Sequence, residues 1–158
     1  MMKIKLLLIG KTDTEYIKQG IEEYEKRIKH YIPYESIVIP AIKNIAGYSP
    51  SEIKTREAEQ LIKKITVSDF LVLLDEKGKE MSSVEFSGFL SQRFSSGIKS
   101  LVFIVGGAYG VSDSIKKKAN FILSLSQMTF SHQMVRLFFL EQLYRGLTIL
   151  NNESYHHK

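Results

Sequence analysis

Two uninterrupted apolar runs, FLVLL at residues 70–74 and LVFIV at 101–105, constrain the fold most. Each is too short for a helix and has no polar side for water. Each therefore reads as a strand covered on both faces. Such strands belong to a parallel sheet with helices above and below it. The remaining sequence supplies both. Residues 3–9, 34–39 (between Pro33 and Pro40) and 121–125 read as further strands. Residues 14–30 have helical spacing, with Tyr16, Ile17, Ile21, Tyr24 and Ile28 opposite Glu22, Glu23, Lys26 and Lys29. A second helix opens at Ser51 as cap and carries Ile53, Ala58, Leu61, Ile62 and Ile65. A third starts at Ser82 or Ser83, and Ser112 caps a short lysine-rich one. A long helix runs from about His132 to Asn151. Residues 41–50 read as a loop and 75–79 as a turn. Strands alternating with helices predict an α/β protein with a mostly parallel sheet. No linker, repeat or low-complexity tract divides the 158 residues, so residues 1–158 are expected to form a single domain.

The chain has no cysteine, which excludes disulfides, thiolate metal sites and a cysteine nucleophile. His30, His132, His156 and His157 lack the partner spacing of a metal site, so no metal is expected. The apolar run after Lys5 is too short for a signal peptide or a membrane span. A cytoplasmic protein with no membrane partner is the expectation. The formal net charge of +5 permits contact with nucleic-acid phosphates without demanding it.

Ligands of parallel sheets bind beyond the carboxyl ends of the strands. This directs attention to the segments after Leu74, Val105 and Leu125. Gly106-Gly107-Ala108-Tyr109-Gly110 follows a strand and precedes a helix, but its spacing is neither a dinucleotide fingerprint nor a P-loop. A tight turn and a ligand loop stand equally open on these residues alone. Leu125-Ser126-Gln127-Met128-Thr129-Phe130 can offer backbone groups to an adenine edge, with Leu125 and Met128 against the ring. By itself it reads as a connection capped by Ser131. In the last helix, Leu137, Phe138, Phe139 and Leu140 cover the whole circumference. A helix apolar all round is buried on more than one side, and a homodimer through this helix is predicted. Glu141 and Arg145 are spaced to pair on its polar edge. The tail Tyr155-His156-His157-Lys158 is either a frayed end or a segment for a base and its phosphate.

Together these segments resemble one family. Residues 103–110 (FIVGGAYG), 123–136 (LSLSQMTFSHQMVR), 141–145 (EQLYR) and the terminal Tyr155-His156 are similar, in order and spacing, to the ribosomal large-subunit pseudouridine methyltransferase H family of the SPOUT class. The likeness spans the whole chain. It implies a SPOUT α/β fold with a C-terminal trefoil knot and a homodimer. It further implies S-adenosylmethionine-dependent methylation of N3 of a pseudouridine in 23S ribosomal RNA of the assembled ribosome. Carried over, the donor would contact Leu74, Gly106, Gly107, Leu125, Ser126, Gln127, Met128, Thr129 and Phe130. Tyr155, His156, Arg145 and His132 become candidates near the reacting base, with no general base assigned. Ser131 stands where the family commonly has proline, and His157 where it commonly has arginine or lysine. Two alternatives share a similar sheet: a non-catalytic RNA-binding protein, told apart by donor binding, and a flavodoxin-like enzyme, told apart by flavin absorbance.

Overall fold

A computed structural model describes residues 2–157. Five parallel strands form one sheet: β1 (Lys3–Ile9), β2 (Tyr34–Ile39), β3 (Asp69–Glu80), β4 (Ser100–Val105) and β5 (Phe121–Ser124). Their spatial order is β2-β1-β4-β3-β5. The apolar runs of β3 and β4 pair side by side, Phe70 with Leu101 through Leu74 with Val105. Both sit inside the sheet, as uninterrupted hydrophobicity requires.

Side-chain alternation divides the interior. Leu6, Leu8, Val72, Phe103 and Val105 face one layer, which α1 (Glu15–Ile28), α3 (Ser83–Ser95) and α5 (Met134–Leu150) cover. Leu7, Ile9, Leu73, Val102 and Ile104 face the other, covered by α2 (Pro50–Ile62) and α4 (Asp113–Lys118). Helices on both faces explain why these strands lack a polar side.

Several local expectations are corrected. The cap of α2 is Ser49, whose hydroxyl accepts the Glu52 N–H at 3.1 Å, and not Ser51. Pro50 is the reason: its fixed φ and missing N–H suit the first helical position, which moves the cap one residue upstream. Residues 75–79 do not end the strand. The pairing with β5 passes from Leu74 to Lys79 at a single residue, Leu123, so residues 75–78 bulge out and β3 resumes. Their charged sequence hides a strand because this bulge lies at the sheet's rim. The third helix takes Ser82 as its cap, in a reciprocal pair with Glu85. Ser112 occupies the cap position of α4 but its hydroxyl pairs with that of Ser114. The last helix begins at Met134, later than expected, and Ser131 accepts the Met134 N–H at 3.1 Å.

Helix α5 lies between α1 and α3. Phe139 is fully buried against Phe103, with ring centroids 4.6 Å apart. Most of its all-round apolar character is thus used within one chain. Phe138, 45% exposed, is the large apolar residue left facing out.

Candidate active site

A cleft of about 380 Å³ opens beyond the carboxyl ends of β3, β4 and β5. That volume lies in the range of roughly 300–1,000 Å³ usual for small-molecule sites. Leu74, Gly106, Gly107, Leu125, Ser126, Met128, Thr129, Phe130 and His132 all line it. Gln127 does not: it borders a neighbouring groove with Glu76, Lys77, Gly78 and Glu80. The chain bends at Gln127 and Met128, and Gln127 lies on the outer side of the loop.

The glycine segment is a tight turn that also forms one wall of the cleft. The Gly110 N–H donates to the Gly107 carbonyl at 3.0 Å, and Gly110 has φ +86°. A Cβ on Gly106 would lie 2.5 Å from Val111 Cγ2, so this position tolerates no side chain. The opposite wall is the 125–130 loop. Ser124 donates its hydroxyl to the Ser126 carbonyl at 2.8 Å and to the Glu76 carbonyl at 3.1 Å. The Met128 N–H donates to the Ser126 hydroxyl at 3.0 Å, and Thr129 donates to the Glu76 carboxylate. The β3 bulge therefore braces this loop. Asp75, Glu76, Lys77 and Lys116 also line the cleft. Sequence reasoning singled out none of them, because residues 75–79 read as an ordinary turn and Lys116 as part of a lysine-rich helix. Lys116 and Asp75 approach to 3.7 Å at its edge.

Arg145, Tyr155 and His156 form a separate cluster. The Arg145 guanidinium donates to Glu141 at 2.6 Å, confirming the expected pairing, and lies 3.2 Å from His156 Nδ1. With the guanidinium as donor, Nδ1 accepts and the ring's N–H is at Nε2. The Tyr155 hydroxyl donates to Glu141 at 3.0 Å and lies 3.3 Å from that of Tyr24. The tail is thus folded onto α1 and α5 rather than frayed. Burial, reinforced by hydrogen bonds to Tyr24 and Glu141, pushes the Tyr155 phenol up, so it stays protonated. The Glu141 hydrogen bond holds Arg145 firmly charged. None of these residues lines the cleft in the same chain; His132 does. His157 is exposed, and Lys158 lies outside the described residues.

Among the described residues no group of three or more His, Asp or Glu side chains is arranged to hold a metal ion. No described helix is long and apolar enough to cross a membrane.

A parallel α/β sheet with a glycine-walled cleft beyond the carboxyl ends of its strands is an arrangement for binding a small molecule. The family described as "Predicted SPOUT methyltransferase" matches residues 2–156. A probable methyltransferase from Bordetella pertussis Tohama I has the same fold, with a TM-score of 0.54 over 92% of this chain and 93% of that one, at 10% identity. Relatives named ribosomal RNA large subunit methyltransferase H are far more similar. That of Parabacteroides distasonis is 53% identical and that of Flavobacterium johnsoniae 54%, each over 99% of this chain and 100% of the relative. The chain belongs to the ribosomal RNA large subunit methyltransferase H family of SPOUT methyltransferases.

Proposed function

We propose that this protein methylates N3 of a pseudouridine in 23S ribosomal RNA of the assembled ribosome, with S-adenosylmethionine as donor. The observation that carries the reading is the convergence of the 125–130 loop, Leu74 and the glycine wall on one cleft. That cleft fits the donor. Leu74, Val105 and Leu125 give it apolar walls, while the backbone of a side-chain-free glycine segment stands close enough to meet polar groups. The sulfonium supplies an electrophilic methyl group. The protein's task is to hold the acceptor nitrogen in line with it, where positioning lowers the barrier most.

N3 must lose its proton, which water can carry away, before the new bond forms. A fixed positive charge nearby stabilises the anion that results. Arg145, with His156 beside it and Tyr155 as a protonated donor, suits that role, and His132 approaches from the cleft itself. The cluster and the cleft are separate within one chain, so the reading includes a homodimer in which the tail cluster of one protomer completes the cleft of the other. Phe138 supports this. It is exposed on α5, and its ring lies 5.1 Å from that of Phe130, a cleft residue. An interface centred on Phe138 would run directly into the donor site.

The test is transfer of labelled methyl from S-adenosylmethionine to intact ribosomes lacking the modification, with the product mapped by mass spectrometry. Label on N3 of the pseudouridine is the expected result. Binding of the donor without any transfer to ribosomes would overturn this reading.

A further inference from the structure

Glu57 projects from the buried face of α2. It is 7% exposed, and its Oε1 has no hydrogen-bond partner in the protein. An unpaired buried carboxyl is costly, and apolar Ile53, Ala58 and Leu61 already seat this helix. Packing alone would be better served by a leucine or methionine. The carboxyl lies against the glycine wall: a Cβ on Gly107 would stand 2.9 Å from Oε2 and 3.3 Å from Ile9 Cγ2. Gly107 thus leaves room for the acid.

Glu57 borders a second groove, of about 580 Å³, between the ends of β1 and β2 and the glycine segment. Lys11, Lys43, Tyr109 and Gln133 border it too. Gly107, Ala108 and His132 line both this groove and the donor cleft, so the two cavities meet along these residues. Tyr109 is 47% exposed there. An aromatic face with flanking lysines suits a nucleotide, whose base stacks and whose phosphates meet cations.

We infer that this groove seats the target pseudouridine and that Glu57 accepts a hydrogen bond from its N1–H. The inference rests on the function proposed above. Pseudouridine is joined to its ribose through carbon, so N1 carries a proton that uridine lacks. N1 and N3 lie on either side of the C2 carbonyl. A base held through N1 in the groove therefore turns its N3 edge away from Glu57, toward the side where the groove meets the donor cleft. Burial raises the Glu57 carboxyl above its ordinary range, and an incoming N–H donor offsets that penalty by favouring the charged form. The protein leaves this acid uncompensated and the substrate completes it. A site built around a substrate N–H rejects an analogue that lacks it.

The experiment compares wild type, Glu57→Met and Glu57→Gln on ribosomes carrying either pseudouridine or uridine at the target position. Wild type should prefer pseudouridine. Glu57→Met, of similar size but without an acceptor, should lose about ten- to a hundred-fold of transfer to the pseudouridine ribosomes. Its transfer to uridine ribosomes and its calorimetric affinity for S-adenosylmethionine should be unchanged, with a Tm equal or higher. Glu57→Gln keeps a carbonyl oxygen and should keep most of the preference. A Glu57→Met enzyme with wild-type preference would overturn the inference, as would a lowered Tm accompanied by weaker donor binding. Failure of wild type on both ribosomes would instead overturn the functional reading, and the inference with it.

Discussion

Arg136, completely buried at the start of α5, donates from Nη2 to the Ile9 carbonyl at 2.6 Å. Its Nη1 donates to the Gly10 carbonyl at 3.0 Å and to the Thr12 hydroxyl at 2.9 Å. One side chain thus ties the C-terminal helix to the carboxyl end of β1, where the strand's own pairing runs out. The planar fork spreads its donors over two nitrogens, Nη1 and Nη2, a geometry that the single nitrogen of an ammonium does not reproduce. Arg136→Ala should lower unfolding free energy by about 3 kcal/mol, because buried carbonyls lose charge-assisted partners. Arg136→Lys should recover only part of it. Urea denaturation followed by circular dichroism measures both.

The glycine wall makes a sharper statement about the donor. Gly106→Ala forces a Cβ to within 2.5 Å of Val111 Cγ2, and the turn to Gly110 must shift. Overpacking of this kind costs about 1–3 kcal/mol, so donor affinity should fall about tenfold or more. Isothermal titration with S-adenosylmethionine gives the number directly. An unchanged Kd would place the donor elsewhere.

Phe138 is the residue through which the dimer is expected to form. Phe138→Asp should shift the protein to a monomer in sedimentation velocity and abolish methyl transfer, because an exposed charge there opposes apolar association. A site shared between protomers, as proposed, is testable by complementation. Chains lacking residues 155–158 should be inactive alone, and Gly106→Ala chains nearly so at donor concentrations well below their weakened Kd. Mixed, they should regain roughly a quarter of wild-type activity, since random pairing leaves one complete site in half the dimers.

The tail responds to alkaline pH through Tyr31, whose hydroxyl donates to Glu153 at 2.7 Å. Burial, then the hydrogen bond to that carboxylate, pushes the Tyr31 phenol up to about 12. A folded value above the ordinary tyrosine value near 10 means the contact's stability is fully present below about pH 10. It is lost as pH rises through about 12. Proteolysis of the C-terminal tail should accelerate across that window. Glu153→Gln removes the facing charge, and should bring the Tyr31 titration down in ultraviolet absorbance.

The layer architecture was legible because hydrophobicity is periodic: residues 70–74 and 101–105 have no polar side, and only a doubly covered strand accepts that. The cleft wall was legible only through the family resemblance, because these residues alone left a turn, a connection and a ligand loop open. Glycines between a buried strand and a helix mark backbone that no side chain can occupy, and residues 125–130 follow the last strand. The bulge at 75–78 was not legible. Its charged residues have no hydrophobic rhythm, and only the register against Leu123 makes them part of β3. The same holds for the all-round apolar α5, since sequence states that Phe138 and Phe139 are apolar but not which of them faces Phe103. Glu57 shows the division most clearly. In the sequence it is one charge among Lys54, Arg56, Lys63 and Lys64 on what reads as a solvated helix face. Its burial against Gly107 comes from α2 docking on the sheet edge, where residues far apart in the chain meet. Local sequence sets propensity and pattern; which polar group is enclosed, and beside what, is decided by the packing of elements it cannot see.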